Sequence, residues 1–504
     1  MPVKQGAELT AALLYNLNHR MTSSKFDLDQ DTNDVLSQVG ATADDCGGKL
    51  SFYGADPVAR SVVRMGGMAA IGLAAKAVMV AKIWKTRTGL GQDIHVDARK
   101  SLHRFAGFGE GKWIKINGNA ATLNYDPENP LDPFGPRERI FFPTKDGQTM
   151  TTCNGYPRAR DRVLKFLNCV NTTEGVKAAV KNWNSEELDH AADKAGLVMS
   201  KCRRLQDALQ LDVYDKTFKD MPLIKIEKVA DSDPVPFTPN PTDPLSGIKV
   251  LGMAHTVAGP AIGSALAFHG ADVLNIFRPY DFEPDLFLWA THIGTRSSIL
   301  DLDQPGPKAK FDELLKGADV FYLNRRIQMV ERYGLDYKTM CAKKPGLIHA
   351  RVVYATDEGE WSRRSGYDVT TGAEWGIFDL EGTDELPDTS EVSIVNDYVT
   401  GWLCTVGVLE ALRRRSIEGG SWRVQTSLTR VSLWLLSLGI FDKDYMTRTK
   451  GSTDEHKFVD PDLFTAETPM GSYQGLGEQV YMMRTPGRFH TVVAPKGSAK
   501  AAWL

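Results

Sequence analysis

The chemistry-bearing residues of this chain gather in four places. Val395-Asn396-Asp397-Tyr398-Val399-Thr400-Gly401 opens an apolar run expected to be helical over Trp402–Arg413. A carboxylate at a helix start can be a simple N-cap. It can also be a nucleophile, because a carboxylate of ordinary pKa, about 3.9, is ionised at pH 7 and attacks an activated acyl group without a base. The turn His255-Thr-Val-Ala-Gly-Pro260 follows a β-type run and lacks GxGxxG spacing, which weakens a dinucleotide reading. Its small residues Ala258 and Gly259 still let a ligand approach a helix N-terminus that favours anions. Arg278 ends the next strand, where a phosphorylated ribose could be read or where an arginine could simply be solvated. Arg325, Arg326 and Arg332, after a further strand, suit phosphates or an exposed helix face.

Alternating strand and helix patterns must position these residues. Gly247–Met253, a helix over Ala261–His269 and a strand over Ala271–Phe277 form a βαβ unit, and a crossover helix implies parallel strands. The pattern repeats with a helix over Pro307–Lys316 and strands over Asp319–Leu323 and Gly346–Tyr354. The expected fold class is α/β, an open, doubly wound, Rossmann-like parallel sheet with ligands at the carboxyl ends of its strands, accompanied by a smaller α+β domain. In the earlier half Met65–Arg87 is a long apolar helix, stopped by Thr88–Gly91 and followed by a strand over Gln92–Asp97. A Pro-rich loop, Asp126–Pro136, precedes a hairpin over Arg139–Thr152 that turns at Lys145–Gly147. An amphipathic helix over Arg158–Asn168 follows, and Asn184 with Glu187 reads as a capping box for a helix ending at Gly196. Asp231–Pro244 holds five prolines and reads as an extended linker. The expected division is therefore 1–230, linker 231–244 and 245–504. Lys85–Val96 faintly echoes Arg415–Val424, each a helix, glycine turn and strand, which fits either a duplication or two unrelated corners.

Composition bounds the rest. The 504 residues exceed one ordinary core, and 42% hydrophobic with 24% charged residues is a globular balance. With 60 basic and 63 acidic residues there is no basic excess of the kind a general nucleic-acid binder carries. The six cysteines show no CxxC spacing and are expected to be reduced and buried, and no metal site is expected. His95, His103 and His269 read as core or surface residues. No secretory leader is expected at the N-terminus, and Met68–Trp84, interrupted by Lys76 and Lys82, falls short of a membrane span. The expectation is a cytoplasmic protein with neither membrane nor nucleic-acid partner.

The run PLSGIKVLGMAHTVAGPAIGSALAFHGADVLNIFRP, Pro244–Pro279, resembles the opening of the class III coenzyme A transferases, a superfamily that includes the 2-methylacyl-CoA racemases. THIGTRSSILDLDQPG (291–306), LLKGADVFYLNRR (314–326), ERYGLDYKTMCAKKPGLIHA (331–350), SGYDVTTGAEWG (365–376) and NDYVTGWLCTVGVLEALRRR (396–415) keep the family order. MGGMAAIGLAAKAVMVAKIWKTRTGLGQDIHV (65–96) is similar to a later part of such chains, so the halves stand rearranged. The resemblance implies Asp397 as nucleophile and CoA contacts at Val257, Ala258, Arg278, Asn324 and Arg332. It implies acyl-CoA and carboxylate substrates, no prosthetic group, and either a homodimer or an internal pseudo-dimer. Gly66-Gly67 at the corresponding corner brings no carboxylate, so one functional aspartate is expected. The racemase branch carries Gly-His-Asp where this chain has Gly366-Tyr367-Asp368, and tyrosine is a poor base at neutral pH. A family glycine-rich loop has no clear copy, and Val352 stands where a lysine is expected. A catalytically silent CoA-binding scaffold is the alternative of a different class.

Overall fold

The computed structural model describes residues 3–105, 111–121, 129–131, 139–383, 386–392, 396–477 and 479–504. Most of the Pro-rich loop Asp126–Pro136, and Val395 before the aspartate, lie outside the described residues.

The centre is a seven-stranded sheet. Its strands are β1 (Lys225–Ala230), β2 (Lys249–Met253), β3 (Asp272–Phe277), β4 (Arg296–Ile299), β5 (Val320–Leu323), β6 (Ile348–Val353) and β7 (Ser421–Ser427). The spatial order is β4-β3-β2-β5-β6-β7-β1. The six strands β2 to β7 are parallel, and β1 closes the edge antiparallel to β7. The order runs outward in one direction from β2 to β4 and in the other from β5 to β7, so it reverses between β2 and β5. That reversal is the topological switch point of a doubly wound sheet, where connections leave in opposite directions and open a crevice. The inner strands β2, β3, β5 and β6 are short, buried, mainly apolar runs because both faces are covered. One face packs Leu251, Leu274, Phe321 and Leu323 with Phe311, Leu315 and Val330 from covering helices.

The other face carries α1 (Met65–Thr88), α2 (Ala258–Phe268), α3 (Asp397–Glu418) and α4 (Leu428–Ser437), in one continuous core. α1 carries Lys76, Lys82 and Lys85 and still has the length and composition of a membrane-crossing helix, yet most of it is buried inside the protein. It meets α3 closely: a Cβ on Gly72 would come within 3.3 Å of Val399. α2 and α3 meet more closely still. A Cβ on Gly401 would lie 2.5 Å from the Ala258 carbonyl oxygen and 2.7 Å from the Ala261 Cβ. Glycine at 401 is therefore what lets the first turns of two helices touch.

The Pro-rich segment does not separate two cores. β1 lies before it in sequence yet pairs with β7. Leu50–Tyr53 and Ile94–Asp97 form a three-stranded sheet with Val480–Met482, and Lys115–Ile116 pairs with Gly471–Leu476. Residues on both sides of the seam thus complete each other's sheets. The expected hairpin is present as Phe141–Pro143 and Thr149–Thr152, and Met199–Lys201 adds a third strand not expected from sequence. The helix after Asn184 begins at Ser185, but the Asn184 side chain does not cap it. Asp146 from the hairpin turn accepts the Ser185 N–H and hydroxyl instead; although burial opposes it, a bond from the Thr144 hydroxyl and these two hold its carboxyl down at about 2. Cys169 and Cys202 are half-buried, whereas the other four cysteines are buried and all six are free thiols.

Gly401→Ala should destabilise the protein by about 1–3 kcal/mol through overpacking. At an unobstructed helical site the same change would stabilise by up to about 1 kcal/mol. Chemical denaturation of the variant checks the sign.

Candidate active site

β2 ends at Met253 and β5 at Leu323, on either side of the switch point. Asn324 ties the two strand ends together. Its Nδ2 donates to the His255 carbonyl at 2.8 Å and its Oδ1 accepts the His255 N–H at 3.1 Å. Gly259 leaves room for this bridge, since a Cβ there would lie 2.5 Å from the Asn324 Cγ. The next residue, Thr256, takes a left-handed conformation at φ 68°, unusual for a β-branched side chain. It is held on three sides: its N–H donates to Glu283 (2.9 Å), its hydroxyl pairs with the Tyr156 hydroxyl (2.9 Å), and its carbonyl accepts from Thr291 (2.6 Å). Glu283 is fully enclosed, and burial pushes its carboxyl up to about 8. Burial, together with Arg325, pushes His255 well below the ordinary imidazole range. Val257 and Ala258 follow this clamped turn, both buried, and line one cavity with Asn324 and Asp397.

Asp397 is the first residue of α3. Asn396 before it anchors the helix start: Nδ2 donates to the Leu428 carbonyl (2.8 Å) and the Ser432 Oγ (2.7 Å), and its N–H donates to Asp368 (2.6 Å). The helix is thus fixed to α4 and to the helix Asp368–Glu374, which leaves the Asp397 side chain no capping role. No hydrogen bond to the Asp397 carboxylate occurs among the described residues. The residue is 7% exposed, and its exposed edge faces the cavity rather than bulk solvent. Sequence alone treats this carboxyl as an ordinary acid. The structure corrects that: burial first, and then the neighbouring Asp368, push it well above the usual carboxylate range. Tyr367 also lines the cavity, and burial pushes its phenol up to about 12.

The arginines divide between two connected spaces. Arg278 donates through Nε (3.1 Å) and Nη2 (2.7 Å) to Asp281, which also accepts from Arg325 at 2.8 Å. Although burial opposes it, Arg325 and Arg278 hold the Asp281 carboxyl at about 2. A second cleft of about 630 Å³ has Arg278 and Lys194 in its walls and shares His255, Arg325, Arg326 and Arg363 with the Asp397 cavity. Arg332 borders neither space; it is exposed and paired with Asp303 at 2.8 Å. The sequence-expected set therefore converges for Asp397, Val257, Ala258 and Asn324, sits in the adjoining cleft for Arg278, and is dispersed for Arg332. Asn396 and Asp368 were visible in the NDY and GYD triplets but carry no positional signal of their own. Glu283 had none, because only the turn of the chain brings it under Thr256.

At the corner that echoes this one, the N–H groups of Gly66 and Gly67 at the start of α1 donate to Asp56 at 3.0 and 2.6 Å. A carboxylate from an earlier part of the chain thus serves each helix start, Asp56 for α1 and Asp368, on the helix Asp368–Glu374, for α3. No carboxylate stands on α1 in the place of Asp397.

An acid on a helix N-terminus thus faces a crevice at the switch point of a doubly wound sheet and is approached by a basic cleft, the place where α/β sheets of this kind take their ligands. Residues 245–468 match the model of CoA-transferase family III. The chain is 30% identical over 227 residues to the acetyl-coenzyme A transferase nodX of Hypoxylon pulicicidum, covering 44% of this chain and 36% of that protein. It is 33% identical over 207 residues to the succinyl-CoA–L-malate CoA-transferase alpha subunit of Chloroflexus aurantiacus, covering 37% and 48%. A solved CAIB/BAIF family protein from Brucella suis shares 25% identity over 46% of this chain and 65% of its own, with a TM-score of 0.35. The chain spans less than half the length of the two curated relatives.

A carboxyl whose folded pKa is raised holds its proton longer in the folded than in the unfolded state. Its contribution to stability is therefore lost as pH rises above about 3.9. Asp397→Asn should leave the melting temperature unchanged near pH 4 and raise it progressively toward pH 8. Each kcal/mol relieved moves a chain of this length by about 1 °C. Calorimetric scans of both proteins across that range check the trend.

Proposed function

We propose that the protein transfers coenzyme A from an acyl-CoA to a carboxylic acid, with Asp397 as the nucleophile. The observation that carries this reading is the position of Asp397: a nearly buried carboxyl, without a hydrogen bond among the described residues, facing the same cavity as Val257 and Ala258 of the switch-point turn. The cleft with Arg278, Arg325, Arg326 and Arg363 would take the nucleotide phosphates, and the shared wall at His255 would lead the pantetheine arm toward Asp397.

The ionised Asp397 oxygen attacks the thioester carbonyl carbon, the C–S bond breaks, and CoA leaves as thiolate with a mixed anhydride behind. The thiolate attacks the aspartyl carbonyl, the donor acid departs as carboxylate, and CoA stays on Asp397 as a thioester. The acceptor carboxylate attacks that thioester, forms a second anhydride and frees the thiolate. Attack of the thiolate on the acceptor carbonyl then gives the new acyl-CoA and restores Asp397. Two acyl transfers replace one exchange, and the thioester is not lost to water. The N–H groups at the starts of α2 and α3 are the available donors for developing oxyanions.

Burial raises the reactivity of the anion once it forms but makes the anion scarcer. The raised Asp397 pKa therefore sets a window: the reaction needs the deprotonated form, so kcat/KM should fall with decreasing pH at values well above the ordinary carboxylate range. Racemisation of a 2-methylacyl-CoA would need a base at Tyr367, and a phenol at about 12 is not one at neutral pH. Incorporation of solvent deuterium at C2 of such a substrate would show that chemistry directly.

Incubation with a panel of acyl-CoA thioesters, followed by intact-mass measurement, should show a hydroxylamine-sensitive adduct on the native protein and none on Asp397→Asn. Turnover of the variant should drop at least about a thousandfold, as expected when the attacking group is removed. CoA binding without any adduct would instead identify a silent scaffold.

A further inference from the structure

The Asp397 cavity is lined by five arginines and one carboxylate, Asp397 itself. Three of the arginines are already neutralised. Arg325 pairs with Asp281 at 2.8 Å, Arg363 with Glu331 at 2.6 Å, and Arg364 with Asp189 at 2.8 Å and Glu374 at 2.6 Å. Arg326 is exposed, where water solvates it. Arg351 is different. It is 8% exposed, its Nε is buried with no partner, and its guanidinium makes one long bond, Nη2 to the Arg325 carbonyl at 3.3 Å. It forms no ion pair among the described residues. The acids closest in electrostatic reach are committed elsewhere: Asp357 to Arg423, and Asp336 to the Thr339 N–H (3.0 Å) and hydroxyl (2.7 Å).

A buried guanidinium without a counter-charge is strongly unfavourable unless an anion reaches it. Its position shows where that anion would come from. Side chains alternate along a strand, so Arg351 shares a sheet face with His349, whose Nε2–H donates to the Leu335 carbonyl and whose ring meets Phe321. That is the face opposite α3, and the cavity wraps over the carboxyl edge of the sheet from Asp397 to Arg351. A ligand with its reacting carbon at Asp397 can therefore place a second, anionic group at Arg351.

We propose that Arg351 is an anion subsite of the Asp397 cavity, binding an anionic oxygen group of the acyl-CoA substrate, supplied either by a CoA phosphate or by a second carboxylate on the acyl chain. This rests on the acyl-CoA reading of the site. It adds a recognition residue to which neither sequence spacing nor the family-implied contact set pointed, and it makes the empty guanidinium the partner the ligand satisfies.

The test compares the native protein with Arg351→Gln and Arg351→Lys, using calorimetric binding of CoA and pantetheine and the KM values for glutaryl-CoA and pentanoyl-CoA. If the subsite takes a CoA phosphate, the Gln variant should bind CoA at least tenfold more weakly, bind pantetheine as the native protein does, and be partly rescued by Lys. If it takes a carboxylate, CoA affinity should hold, while KM rises at least tenfold for glutaryl-CoA and not for pentanoyl-CoA. Melting temperature should be unchanged or higher in the Gln variant, because a buried unpaired cation has been removed. Should that variant not fold, Arg351→Lys carries the comparison, with a several-fold change confined to the same probe. Equal affinities within twofold for all four probes would overturn the subsite, and so would losses of the same size on every probe. If the native protein acquires the Asp397 adduct while the Arg351 variants match it throughout, the subsite alone fails. If the native protein neither binds CoA nor acquires the adduct, the acyl-CoA reading falls and takes the subsite with it.

Discussion

The site depends on one steric contact, the approach of Gly401 to the Ala258 carbonyl. A helix N-terminus carries orphan N–H groups and a partial positive charge, and two such ends brought together make a pocket for developing negative charge. Only a residue without a Cβ at 401 lets α2 and α3 begin side by side. The Asn324 bridge then fixes the turn before α2, and Asn396 fixes the start of α3 against α4. The catalytic geometry proposed for Asp397 is thus a consequence of packing between two helices rather than of the acid's own bonds.

That arrangement puts a carboxyl where solvent cannot stabilise its charge. Other buried acids are compensated by arginines: Asp189 by Arg203 and Arg364, Glu410 by Arg413 and Arg414. Asp397 has Asp368 as its charged neighbour instead. A fold gains nothing in stability from such a placement, and sites of this kind are where folded proteins concentrate perturbed acids used in chemistry. The uncompensated Arg351 across the sheet edge has the same character with opposite sign.

The chain is woven rather than beaded. β1 completes the main sheet from one side of the Pro-rich segment, while Val480–Met482 and Gly471–Leu476 complete the smaller sheets from the other. α1 lies against α3, and Tyr156 from the segment before the hairpin-capped helix reaches the switch-point turn and stacks on Tyr367 with ring centroids 6.3 Å apart. The helix–glycine–strand corners at 85–96 and 415–424 share a carboxylate at the helix start, but their strands enter different sheets. The same local unit thus serves one core and two different edges.

Local sequence determined the inner strands β2, β3, β5 and β6, because strands buried on both faces read as short apolar runs and the helices between them read by period and by glycine stops; the edge strands β1 and β4 are polar and half-exposed and gave no such signal. It also marked Asp397, Asn324 and the 255–260 turn, since each stands beside an element boundary that punctuation residues reveal. Tertiary structure alone decided what those residues mean. Burial beside Asp368 turned an ordinary acid into a perturbed one, ion pairing drew Arg278 to Asp281, and a surface position left Arg332 with Asp303. Glu283 beneath Thr256 and Arg351 across the sheet edge were invisible in the sequence for one reason. Charge state and partner depend on distance through space, and residues far apart in the chain supply both.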